Sequence, residues 1–100
     1  MGTQLQVGDS VYIPVIHEVY TLSTNTWAEA DPDNGYPVIT ITDPDGTVKV
    51  EAAAMTKKAT GKFEYEYTIP ASGQGEWTGY VDVLNSTYPS RKYFTFTVED

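Results

Sequence analysis

A chain of 100 residues with 40% hydrophobic and 13% aromatic content has the size and composition of one globular domain, without room for two independent cores. Fourteen acidic groups against six basic ones leave a net charge of −8, which sets nucleic-acid binding aside, because phosphate recognition needs a cationic footprint. The absence of cysteine removes disulfides, thiolate metal sites and thiol nucleophiles, and no apolar run approaches the ~20 residues that span a bilayer.

Met1-Gly2-Thr3-Gln4 lacks the basic and apolar regions of a signal peptide, Met1-Gly2-Thr3 is compatible with a cloning start, and residues 1–6 are expected to be a flexible or cloning-derived lead-in. Val7-Gly8-Asp9-Ser10 is a turn feeding a strand whose Val11, Ile13 and Val15 share one face. Pro14 has no N–H to give a ladder and points to an edge position or a bulge. A change of phase there lets a second short strand run from His17 to Leu22. Ser23 to Thr26 is a polar turn, and Trp27 to Ala30 is a brief strand or a covering loop. Asp31-Pro32-Asp33-Asn34-Gly35 carries the residues that close turns.

Tyr36 to Thr42 is a strand with Ile39 and Ile41 on one face. Asp43-Pro44-Asp45-Gly46 suits a type I turn, and Thr47 to Glu51 alternates again, so 36–51 reads as a hairpin. Ala52 to Met55 is too short for a stable helix and is expected to be an irregular strand or crossing. Lys57, Lys58 and Lys62 read as a solvated loop. The strongest pattern follows: Phe63, Tyr65, Tyr67 and Ile69 alternate with Glu64, Glu66 and Thr68 until Pro70 stops the ladder. After a Gly-rich loop, Trp77, Gly79, Val81 and Val83 share a face, Asn85 to Ser90 is a turn holding Pro89, and Phe94, Phe96 and Val98 close the chain. These elements predict an all-β antiparallel sandwich of about seven strands, with the Phe63–Ile69 face against Trp77, Val81, Phe94 and Phe96.

Candidates for chemistry are few. Asp31, Asp33 and Asn34, joined in space by Asp43 and Asp45, would make an oxygen cluster suited to calcium. Their spacing is not that of an EF-hand, and turn chemistry accounts for the same residues. Trp27, Tyr36, Tyr80, Tyr88 and Tyr93 fall outside the predicted core and are candidates for protein contact or for stacking on sugar rings. His17 is the only histidine and no nucleophile elbow accompanies it. Glu64 and Glu66 share a strand face and read as solvated acids. No catalytic residue and no cofactor is therefore expected. Asn85-Ser86-Thr87 is a glycosylation acceptor in a secreted eukaryotic setting, and a Lys–Asn bond from Lys62 or Lys49 to Asn85 is not expected.

The order of the pieces resembles the macroglobulin-type, immunoglobulin-like sandwich of alpha-macroglobulins and of prokaryotic and viral modular surface proteins. The resemblance rests on the Asp43–Gly46 turn, the Gly61–Pro70 strand and the Gly75–Val81 strand. It implies a spacer, scaffold or protein-contacting module in an extracellular, cell-surface or virion setting, without catalytic residues. Two departures stand out: His17 to Gly35 is longer than the usual connection, and Trp27 has no family counterpart. Tyr80-Val81-Asp82-Val83-Leu84-Asn85 also resembles the penultimate strand of a fibronectin type III domain, where Tyr80 would be the tyrosine-corner residue.

Overall fold

The computed structural model describes residues 5–99. The chain forms ten strands: β1 (Leu5–Gln6), β2 (Ser10–Ile16), β3 (Glu18–Thr21), β4 (Thr26–Glu29), β5 (Val38–Thr42), β6 (Val48–Ala54), β7 (Thr56–Ala59), β8 (Lys62–Thr68), β9 (Gly75–Asn85) and β10 (Tyr88–Glu99). Seven of them make two sheets, β2-β8-β7 and β10-β9-β5-β6, and β1 joins the second alongside β10. The remaining two, β3 and β4, pair only with each other. Six of the seven sheet strands, β2, β5, β6, β8, β9 and β10, fall where strands are expected, as does β3; β4 takes the strand side of the strand-or-loop alternative, and β1 and β7 are additions. Leu5–Gln6, expected to be flexible, pairs in parallel with Val98–Glu99, and Leu5 packs on the core. The rest of the expected lead-in, residues 1–4, lies outside the described residues.

The core lies between the sheets, as in a β-sandwich. One sheet supplies Ile13, Phe63 and the adjoining Ile69, and the other supplies Ile39, Ile41, Val50, Trp77, Val81, Val83 and Val98. Trp77 has no exposed surface; its indole N–H donates to Gly73 O at 2.6 Å, so the Gly-rich loop satisfies the one polar atom of the ring. Phe96 stacks on Trp77 at 5.8 Å and Tyr67 tilts against it at 5.6 Å. The alternation read in β8 places Phe63 and Ile69 fully inside, whereas Tyr65 and Tyr67 are half-buried at the sheet margin. Gly79 is required by a close approach: a Cβ there would collide with the Phe94 ring and lie 2.7 Å from Thr40 O.

Two local expectations are corrected, and the irregular crossing expected at Ala52 to Met55 is present. Thr56–Ala59 is not a loop; it pairs with β8 as a sheet edge, where exposed lysines discourage further pairing. Pro89 lies inside β10 opposite Leu84, on a stretch with no partner on its outer side among the described residues, so its missing N–H has no ladder to break. The turn is only Ser86–Thr87. Met55, buried between β6 and β7, marks where the chain passes from one sheet to the other, and a bulge at Ala52 (φ 46°) bends it there. Pro14 sits on an edge strand, as expected.

Truncating Phe63 to Ala should cost about 3–4 kcal/mol in urea denaturation, and Thr78→Ala, on the outward face beside Trp77, less than about 0.5 kcal/mol. Equal costs would mean that the wrong face is inside.

Candidate functional site

Strand directions bring three connections to one pole: the β9–β10 turn, the β7–β8 turn and the long segment between β2 and β5. The β9–β10 turn has only two residues, Ser86 and Thr87, and both have positive φ (52° and 68°). Two-residue hairpins favour that backbone, but it suits Asn-Gly and not Ser-Thr, and Thr is β-branched. Asp33 supplies the compensation. Its two carboxylate oxygens accept the Ser86 and Thr87 N–H groups at 2.9 and 2.8 Å, and its own N–H donates to Leu84 O at 2.7 Å.

Two residues earlier, Asp31 does the same for the other turn. Its carboxylate accepts Gly61 N–H at 2.9 Å and Lys57 Nζ at 2.6 Å. The Lys57 bond first, and the Gly61 N–H second, hold the Asp31 carboxyl below its ordinary value of 3.8. Gly61 is where the β3–β4 hairpin meets the body: His17 N–H donates to Gly61 O at 2.7 Å, and Ala30 N–H to His17 O at 3.1 Å. Gly61 has φ +72°, and a Cβ there would lie 2.7 Å from His17 O and 2.8 Å from Ala30 N. Only glycine fits. His17 Nδ1 stands 2.7 Å from Ala30 O, a carbonyl that can only accept, so Nδ1 carries the hydrogen. Lys62 and Glu29 add an ion pair at 3.6 Å across the hairpin base.

The hairpin held in this way presents apolar surface to solvent. Tyr20 and Trp27 face each other across the strands with ring centroids 5.2 Å apart, and Tyr20 O–H donates to Asn25 Oδ1 at 3.0 Å. Trp27 is 66% exposed and Leu22 at the tip is 80% exposed. Trp27 reaches toward Ile16 and Lys92, which also border the groove containing Tyr88. Of the aromatic candidates, Trp27 and Tyr88 therefore share one side of the pole.

Tyr36, Tyr80 and Tyr93 belong elsewhere. Tyr80 and Tyr93 are cross-strand partners on the outer face of the larger sheet, edge to face at 5.9 Å. The Arg91 guanidinium lies 3.8 Å over the Tyr80 ring and donates to both oxygens of Asp82 at 2.6 and 3.0 Å. The bond to Asp82 first, then one to Tyr93, raises the Arg91 pKa above its ordinary value. Half-buried Tyr36 borders this group. The sequence does not reveal Arg91, Lys92, Ile16, Tyr20 or Leu22 as members of a surface. Ile16 gives the nearest signal, an apolar residue on the outward phase of β2.

A groove runs between β2 and β10 on the side of Trp27 and Tyr88. Near the pole it encloses about 590 Å³ between Val15, Ile16, Val81, Val83, Tyr88 and Lys92. A further section of about 420 Å³ continues along Ile13, Val15 and Phe94. Its floor is the inward face of β9. Its walls are two strands lacking a neighbour on that side over most of their length among the described residues.

The candidate oxygen cluster does not assemble. Asp31, Asp33 and Asn34 lie at the pole just described, and Asp43 and Asp45 follow the far end of β5, about 17 Å of strand away. There Asp43 Oδ1 accepts the N–H groups of Asp45 and Thr47 at 3.0 and 2.8 Å, closing its own turn. Among the described residues, no three His, Asp or Glu side chains are placed to hold a metal ion. Glu64 and Glu66, on one face of β8, meet Lys58 (3.9 Å) and the Tyr12 hydroxyl (3.1 Å) respectively. The bond to Glu66 raises the Tyr12 pKa. No family model, curated protein or solved structure matches the chain.

A depressed carboxyl stabilises the fold above its unfolded pKa, and that stability is lost as pH falls through the folded value. Wild type should therefore lose melting temperature more steeply than Asp31→Asn when pH is lowered below about 4. Parallel curves would remove Asp31 from the acid sensitivity.

Proposed function

We propose that this chain is an immunoglobulin-like module of the macroglobulin or fibronectin type III kind, acting by protein contact and not by catalysis, within a larger extracellular, cell-surface or virion-associated assembly. Strand order supports the fold assignment. The sheets β2-β8-β7 and β10-β9-β5-β6 match the B-E-D and G-F-C order of immunoglobulin sandwiches, with β6 in the place of an added C′ strand. The pole carrying the β3–β4 hairpin then corresponds to the end that bears the recognition loops of variable domains.

The observation that carries the functional reading is the exposed Tyr20–Trp27 pair with Leu22 on a hairpin pinned at its base. Large exposed apolar side chains gathered at one place mark interaction surfaces, and Trp and Tyr dominate protein-contact energetics. Pinning lowers the entropy that binding must overcome. A sugar platform is the less favoured use, because Tyr20 tilts at 59° to Trp27 and the pair offers no flat double face.

A photo-reactive amino acid placed at Leu22 in the native assembly should give a protein adduct that Trp27→Ala weakens, and the same probe at exposed Thr97 should give none. A carbohydrate adduct, or equal labelling from both positions, would overturn the reading.

A further inference from the structure

We infer that the groove between β2 and β10 is a docking site for one extended segment of a partner protein, with apolar residues at alternate positions and a carboxylate facing Lys92. This rests on the reading of the chain as a protein-contact module and assigns it a second surface and a kind of partner.

Backbone geometry supports a strand as the occupant. Over Tyr88–Tyr93, β10 pairs with β9 on one side only, and β2 pairs only with β8, among the described residues. Each wall of the groove therefore offers main-chain donors and acceptors, interrupted only by the missing N–H of Pro89 in β10 and of Pro14 in β2, and an added strand satisfies the rest. The same β10 edge already takes one such strand, since β1 pairs with Val98–Glu99 and lays Leu5 on the core. An extended segment further along that edge continues an interface the fold already uses. From Tyr88 to Phe94 the edge spans about 23 Å, which seven extended residues cover.

Side chains specify what the segment carries. The inward positions of β10 near the pole are Tyr88, Ser90 and Lys92, where Phe94, Phe96 and Val98 stand further along. Val81 and Val83 therefore form an apolar floor with space above it. Alternate apolar side chains of a strand fill such a space. Lys92 lies directly opposite Val81 and borders both sections of the groove. Lys49, Lys57, Lys58, Lys62 and Arg91 each meet a carboxylate, whereas Lys92 has no ion-pair partner among the described residues. Glu18 borders the same groove without forming an ion pair with Lys92, so the ammonium, left unpaired in a chain of net charge −8, is complementary to an acidic group brought by the occupant.

The test uses two capped nonapeptides, Val-Thr-Val-Thr-Glu-Thr-Val-Thr-Val and its twin with Gln at the centre, titrated into the labelled protein by NMR and calorimetry. The Glu peptide should shift the amides of Val15, Val81 and Lys92 and bind about tenfold more tightly than the Gln twin, the difference expected of one charge-assisted contact. Lys92→Gln should bind both peptides equally. Ser90→Phe, which fills the groove from an exposed position, should bind neither while keeping the wild-type melting temperature. If wild type binds neither peptide, strand docking is wrong, whereas the Leu22 cross-link still decides the protein-contact reading independently. Equal binding of the twins to wild type would overturn the carboxylate. A dimer in sedimentation that Ser90→Phe dissolves would assign the groove to a second copy and overturn the partner segment.

Discussion

One carboxylate, that of Asp33, reaches across the chain and holds the tightest turn at the pole. Ser86 and Thr87 both adopt positive φ, where a side chain with a Cβ is strained. Their N–H groups point together at the Asp33 oxygens, 2.9 and 2.8 Å away, and a charged acceptor makes each bond stronger than a neutral one would. Asp31, on the same loop, grips Gly61 N–H and Lys57. A five-residue turn segment thus fastens two other turns, one contributed by each sheet. The β3–β4 hairpin grows from this knot, which is why it stands out from the body without being loose at its base.

The core accounts for what lies below the pole. Trp77, Ile39, Ile41 and Ile69 are buried completely, and the aromatic stack through Phe96 seals the end of the sandwich away from the hairpin. Toward the pole, the inward side of β10 changes from Phe to Lys92, Ser90 and Tyr88. The sheets remain joined by Val81 and Val83, but their margins on the β2 and β10 side do not close over them. The same strand is therefore core at one end and groove wall at the other. Its outward face follows a separate logic, with Arg91 clamped between Asp82 and the Tyr80 ring.

Much of the fold was legible because burial on one sheet face leaves a period-2 trace. That trace identified β8, β9 and the β5–β6 hairpin, and it placed Trp77 and Phe63 inside. It misjudged β7, since an edge strand of Thr and Lys with both faces wet has no alternation to show. It placed Pro89 in a turn because proline usually breaks ladders, and only the free outer edge of β10 makes it tolerable there. The pole was the least legible region. Asp31 and Asp33 have the look of local turn residues, yet their decisive partners are Gly61 and the Ser86–Thr87 turn, 30 and 53–54 positions away. No local pattern encodes such a contact. Trp27 is legible as an exposed aromatic, whereas its partnership with Tyr20 and Leu22 depends on the hairpin register.

The Asp33 clamp is tested most directly by removing the carboxylate and then removing the need for it. Asp33→Ala should lower stability in urea denaturation by about 2 kcal/mol, as two charge-assisted bonds to strained amides are lost. Adding Ser86→Asn and Thr87→Gly, which adopt the turn without help, should restore at least half of that loss. A loss below about 0.5 kcal/mol for Asp33→Ala, or no recovery with the Asn-Gly turn, would contradict the account.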